Sequence, residues 1–253
     1  MDIPIYLERI HYHLPVQVDA RTLIGLHRAH MFSVPFENLD ILPLRRPIKL
    51  DEASLWEKLV LQGRGGFCYE LNGLFAALLQ AVGFGVTYLN ARVYNHQGEL
   101  GIPFDHLALL VKIPGESGRW LADVGFGDSF TDPLRFETSV EQVQGLRAYR
   151  LDVSGGGFTV SQRGYVGDWS REYFFDLIAR SFPQDYEAAC HYHQTSPLSS
   201  FTRGSIISRA TPEGRVSLED EYLIVTEHGK RKERPLQQGE YPLLLKQHFG
   251  LVL

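Results

Sequence analysis

Cysteine is scarce. Cys68 and Cys190 are the only two among 253 residues, which excludes a disulfide framework as the source of stability. No apolar run reaches the length needed to cross a bilayer, so no membrane association is expected. The opening MDIPIYLERI has neither a basic n-region nor a long apolar h-region. No secretion signal is therefore expected, and a cytoplasmic location, where thiols stay reduced, follows. Positive charge is not in excess either. The net charge is −5 and no face reads as basic, which argues against nucleic acid as a partner. Internal repeats and low-complexity tracts are missing as well. What remains, with 44% hydrophobic and 22% charged residues, is an ordinary globular composition. The length suits one large domain or two to three small ones sharing a core.

Along the chain the hydrophobic period changes once. Residues 1–85 read as helical. DARTLIGLHRAHMF opens on Asp19, a good N-cap, with Leu23, Leu26, His27 and His30 at helical spacing. LDEASLWEKLVLQ has Asp51 as its cap, and the proline-bounded PFENLDILPLRRP between them cannot be one helix. RGGFCYELNGLF starts a third helix, with Leu71, Leu74, Phe75, Leu78 and Val82 on one face and Gly83 as its stop. Residues 86–187 turn to period two. VTYLNARVYN, DHLALLVKI, RWLADVGFG, RAYRLDVS, GFTVSQR and EYFFDLIA read as short strands of a small barrel or sandwich, with SGGGF a hairpin tip. Residues 188–253 mix a polar loop, HYHQTSPLSSFTRG, with two more strand-like runs and a final amphipathic YPLLLKQHFGLVL. GKRKERP reads as a solvated turn. Cys190, His191 and His193 form one cluster without a second pair, a poor zinc signal, and no metal is expected.

The placement of Cys68 raises a chemical question. In the first turn of a helix it lies at the positive end of the backbone dipole, beside unsatisfied N–H groups, and both favour thiolate. Gly65 and Gly66 remove side chains just before it, so that a substrate could approach the backbone. The plain alternative is an inert, buried small hydrophobe. A nucleophilic cysteine needs a base, and the base an orienting group. Among ten histidines, His106 stands apart. If PGES is a four-residue turn, Ile113 pairs with Gly118 and His106 falls opposite Gly125. Asp123 is then on the same face within diagonal reach, and a bulge near the glycines would bring the two into direct opposition. Asp105 points to the other side of the strand, and the direction of Asp128 is unreadable. Asp123 would hold His106 in one tautomer while the other ring nitrogen faces the thiol. A satisfied His–Asp pair with an unrelated buried cysteine accounts for the same spacing.

At this point the sequence resembles the arylamine N-acetyltransferases, and the resemblance covers nearly the whole chain. It rests on YLERI, VPFENL (34–39), RGGFCYELN (64–72), DHLALLV (105–111), DVGFG (123–127), QTSPLSSF (194–201) and the terminal FGLVL. It implies an α+β fold: an N-terminal helical bundle over 1–85, a β-barrel over 86–187 and a C-terminal α/β lid over 188–253. It also implies a cysteine-protease-like triad of Cys68, His106 and Asp123. Acetyl-CoA would be the donor in a ping-pong transfer through an acetyl-cysteine thioester, with small aromatic amines, hydrazines or N-hydroxyarylamines as acceptors. Phe36 and Phe126 would line the acceptor pocket. The turn Gly125, Gly127, Asp128, Ser129 would pass close to the donor, and Arg64 would pair with Glu37 or another carboxylate beneath the nucleophile. The ending at FGLVL resembles the compact bacterial members, which leaves the CoA diphosphate contacts open. No oligomeric state is readable. On the same triad stand an amide synthase, a transferase for other acyl donors, a cysteine hydrolase, and a binding module with a vestigial site.

Overall fold

Asp19 and Asp51 start helices in the folded chain, a computed structural model that describes residues 1–164 and 167–252. The first helices are α1 (Ile3–Arg9), α2 (Ala20–Ser33), α3 (Glu52–Trp56) and α4 (Cys68–Val82). The Asp19 carboxylate accepts the Thr22 N–H at 2.7 Å, and that of Asp51 the Ser54 N–H at 3.0 Å. LDEASLWEKLVLQ is not one regular helix, because after Trp56 it widens into a π turn over Glu57–Leu61. α4 stops at Gly83, whose φ of +116° disfavours a β-carbon. Leu71, Leu74, Phe75 and Leu78 of α4 are fully buried. Each contributes roughly 2 kcal/mol, so packing outweighs a cap of about 1 kcal/mol in setting where α4 lies.

Residues 85–175 form an eight-stranded antiparallel sheet curled into a nearly closed barrel. Its strands are β2 (Gly85–Val93), β3 (His106–Lys112), β4 (Arg119–Ala122), β5 (Leu134–Arg135), β6 (Gln142–Gln144), β7 (Arg147–Ser154), β8 (Gly157–Gly164) and β9 (Ser170–Phe175); a two-residue β1 (Phe36–Glu37) precedes them in the chain. Their order is β5-β4-β3-β2-β9-β8-β7-β6. The SGGGF tip closes with Ser154 opposite Gly157. β5 and β6 were not legible as strands. They are short, and they meet through side-chain amides rather than a ladder. Gln142 bonds the Arg135 N–H at 2.8 Å and its carbonyl at 2.9 Å, and Gln144 bonds the N–H groups of Thr131 and Asp132, each at 3.0 Å. β3 is buried on both faces: Ala108 and Leu110 enter the barrel core, while Leu107, Leu109 and Val111 pack with α4.

The C-terminal part corrects the reading from sequence. HYHQT belongs to a helix, α5 (Glu187–Thr195), not to a loop. The two further strand-like runs are four strands, β10 (Ile206–Thr211), β11 (Gly214–Glu219), β12 (Tyr222–Glu227) and β13 (Lys230–Pro235). GKRKERP is thus an exposed edge strand rather than a turn, and its charges discourage pairing with another sheet. β1 opens this five-stranded sheet, pairing Phe36 with Ser208 and Glu37 with Ile207. A short α6 (Tyr241–Leu244) runs into a π turn over Leu245–Phe249. Leu253, the last residue of FGLVL, lies outside the described residues. Among the described residues no helix is long and apolar enough to cross a membrane.

Candidate active site

Cys68 is the first residue of α4, 3% exposed, after an extended Phe67. The Glu70 carboxylate accepts the Phe67 N–H at 3.1 Å and so holds the mouth of the helix. Burial pushes the Cys68 thiol up, with Asp105 and Asp123 adding repulsion, while the Leu107 N–H beside the sulfur pulls it down. Burial therefore works against the thiolate that a helix N-terminus favours. The fold itself requires both preceding glycines to be small. A β-carbon at Gly65 would lie 2.0 Å from the Pro35 carbonyl oxygen, and one at Gly66 would lie 2.7 Å from Glu70 Oε2. The segment lies flat against β1, Glu37 N–H donating to the Gly66 carbonyl at 2.8 Å.

His106 and Asp123 meet as the hairpin register requires. The ladder runs from Lys112↔Arg119 to Leu109↔Ala122. It stops there, and no bulge is needed. His106 Nε2 lies 2.7 Å from Asp123 Oδ2, with both groups buried. Asn72, one turn along α4 from Cys68, ties the pieces together. Its amide donates to the Leu107 carbonyl at 2.6 Å and to Asp123 Oδ1 at 2.8 Å, and its oxygen accepts the Val124 N–H at 2.9 Å. Gly125 is pressed against α4, where a β-carbon would stand 2.8 Å from Cys68 Cα. Burial pushes Asp123 up, but His106, the Asn72 amide and the Gly125 N–H outweigh it and hold the carboxyl below its ordinary value.

Aromatic rings surround His106 and the turn after Asp123. Phe126 meets the His106 ring edge-on at 5.2 Å, and Tyr173 lies 5.2 Å from the same ring. The Phe36 ring packs on Gly127 and lies 6.1 Å from Phe201. The half-exposed Asp128 carboxylate is held by Arg147 at 2.7 and 3.0 Å and by Arg215 at 3.0 Å, while Ser129 is buried. Cys190 takes a bond from Gln194, and His193 sits 3.1 Å from both Asp105 and Ser199. Among the described residues no group of three His, Cys, Asp or Glu is arranged to hold a metal.

Beneath α4 lies a buried ion network. Arg64 pairs with Glu37 at 2.8 Å and with Asp40 at 3.2 Å, and Lys58 pairs with Asp40 and Glu70, each at 2.8 Å. Two cations face three carboxylates, so one carboxyl is the natural place for a proton. Burial pushes Glu70 up to about 7 against the pull of Lys58. Lys58, buried but ringed by Glu70, Glu37 and Asp40, is held above the usual lysine range. Arg64→Ala leaves Glu37 and Asp40 without that partner, and a loss of about 3–5 kcal/mol in urea unfolding is expected. A loss under about 1 kcal/mol would mean the network does not hold the helix.

Sequence reasoning passed over Lys58, Asp40 and Asn72 as individual partners, and over His27. The fully buried His27 ring bonds the Thr131 carbonyl at 2.7 Å and accepts the Asp123 N–H at 3.1 Å. A histidine on an apolar helix stripe was the available signal, since a buried polar ring must find partners.

A family model described as N-acetyltransferase matches residues 19–253. An arylamine N-acetyltransferase / N-hydroxyarylamine O-acetyltransferase of Salmonella typhimurium is 35% identical over 251 residues, covering 97% of this chain and 87% of that protein. An arylamine N-acetyltransferase of Mycolicibacterium smegmatis is 37% identical over 234 residues, covering 90% and 84%. The solved structure of the Mycobacterium marinum enzyme in complex with CoA superposes with a TM-score of 0.91 at 31% identity, covering 98% of this chain and 92% of that one. With sequence and fold in agreement over nearly its whole length, the chain belongs to the arylamine N-acetyltransferase family.

Proposed function

We propose that this transferase moves an acetyl group from acetyl-CoA to an arylamine, arylhydrazine or N-hydroxyarylamine in two half-reactions through Cys68. The observation that carries this reading is the buried His106–Asp123 pair at 2.7 Å, held by Asn72 on the helix whose first residue is the cysteine. Asp123 takes Nε2 of His106, which leaves Nδ1 for the sulfur. As the donor approaches, the Cys68 proton passes to Nδ1 and the sulfur attacks the thioester carbonyl. The carbon–sulfur bond to CoA breaks, and the imidazolium returns its proton to the departing CoA thiolate. The amine lone pair then attacks the acetyl-cysteine. His106 takes the amine proton, and the Cys68 thiolate leaves and is reprotonated.

Asp123 stabilises the imidazolium formed in each half. Phe126, edge-on to His106, and Phe36, on β1, suit a flat apolar acceptor. Gly125, which opens the turn to Ser129, lies against the Cys68 backbone, and we read that turn as the donor's approach. In this reading residues 1–85 bring the sulfur, 86–187 the base and its carboxylate, and 188–253 the cover.

Intact-mass measurement after incubation with acetyl-, propionyl- and malonyl-CoA tests it. One acetyl adduct on Cys68, discharged by an aniline or hydrazine with matching CoA release, is expected. Acetate release at the same rate with and without amine would instead indicate a hydrolase.

A further inference from the structure

The β3–β4 ladder ends at Leu109↔Ala122, one residue before Asp123. The Asp123 N–H therefore has no place in that ladder, yet its carboxylate must point at His106 with little freedom. The N–H goes to a helix. His27 Nε2 of α2 accepts it at 3.1 Å, while His27 Nδ1 faces the Thr131 carbonyl at 2.7 Å. A carbonyl can only accept and an N–H can only donate, so the ring must be neutral, with its proton on Nδ1. Thr131 is itself fixed: its N–H goes to Gln144, and the next residue, Asp132, is gripped by Arg28, beside His27 on α2, at 2.7 Å. The imidazole stacks on Phe130 at 5.7 Å and meets the Phe75 edge at 5.9 Å, which leaves it no other orientation. Burial holds it below the ordinary imidazole value, against Asp123 and Asp132.

We propose that His27 is a positioning residue: locked as its Nδ1–H tautomer by the Thr131 carbonyl, it takes the place of a neighbouring strand for the Asp123 N–H and so aims the Asp123 carboxylate at His106. This rests on the reading of Cys68, His106 and Asp123 as the reacting set.

His27→Leu keeps bulk and removes both bonds. With acetyl-CoA and a substituted aniline its kcat should fall about 10- to 100-fold, because small misplacements at a reacting centre have effects of that size. KM should stay within about 2-fold. The pH profile of Cys68 alkylation by iodoacetamide should move to higher pH, since a misaimed carboxylate supports the imidazolium less. His27→Gln, whose amide can accept from Asp123 and donate to Thr131, should recover most of both. Unchanged kcat and alkylation in His27→Leu, or no recovery in His27→Gln, would overturn the proposal. Should His27→Leu not fold, ¹⁵N NMR of the wild-type ring decides. Nδ1 protonated and Nε2 bare at neutral pH is expected, and a ring protonated on Nε2 there rules the role out. Alkylation needs no acyl donor, so wild-type protein that fails to load acetyl would count against the transfer reading and leave this comparison standing.

Discussion

Cys68→Ala is expected to take up no acetyl group and to transfer none, its rate falling to the background of acetyl-CoA with amine alone. The reason is stoichiometric. In a two-step transfer the acetyl group resides on one atom between donor and acceptor, and no other side chain at the site can hold it as a thioester. Cys190 is buried and bonded by Gln194, and burial pushes its thiol up to about 12. It is no substitute nucleophile at neutral pH. The variant should fold, because alanine fits where a small buried thiol stood and the neighbouring Leu107 N–H loses only a weak acceptor. Intact mass under acetyl-CoA and CoA release with an aniline are the two measurements. A Cys68→Ala protein that turns over at the wild-type rate would remove the sulfur from the mechanism and leave direct transfer between bound substrates.

Asp123→Asn is expected to fold and to lose on the order of 10³–10⁴-fold in kcat. The surrounding bonds dictate why. Oδ1 accepts from both the Asn72 amide and the Gly125 N–H, so an asparagine keeps its oxygen there and turns its NH₂ toward His106. His106 Nε2 must then accept, which moves the ring proton to Nδ1, the nitrogen that should receive the thiol proton. The base is occupied. Stability should respond in a separate direction. The folded carboxyl is held below its ordinary value, so it contributes stability above about pH 4 and loses it as the pH falls through the folded value. Asp123→Asn should therefore lose less stability on acidification than the wild type. A variant within about 10-fold of wild-type kcat would show that the carboxylate does not set the tautomer.

Much of this site was readable because its parts lie in one hairpin. A four-residue turn sets the β3–β4 register, and with it the face shared by His106 and Asp123. The family resemblance had Arg64 pairing with Glu37 or another carboxylate, and it pairs with both Glu37 and Asp40. What escaped depends on neighbours remote in the chain. Gly65 and Gly66 are small because of Pro35 and Glu70, which a run of residues cannot reveal. His27 reaches across 96 positions to Asp123. β13 carries no alternation because all its residues are exposed, and β5 and β6 join through glutamine side chains that imitate a backbone ladder. α5 buries Ala189, Cys190 and His193, a stripe too polar to stand out from the loop that follows it.

The pairing of Phe36 with Ser208 has a consequence for biosynthesis. Cys68, His106 and Asp123 all leave the ribosome before β10 does, so a growing chain carries all three while β1 has only Gly66 beside it. The surroundings of Phe36 and Glu37 are completed only when a distant stretch arrives and zips onto these two residues of backbone. Such late, long-range closure slows folding, and it makes the C-terminal sheet a condition for fixing the backbone of Phe36.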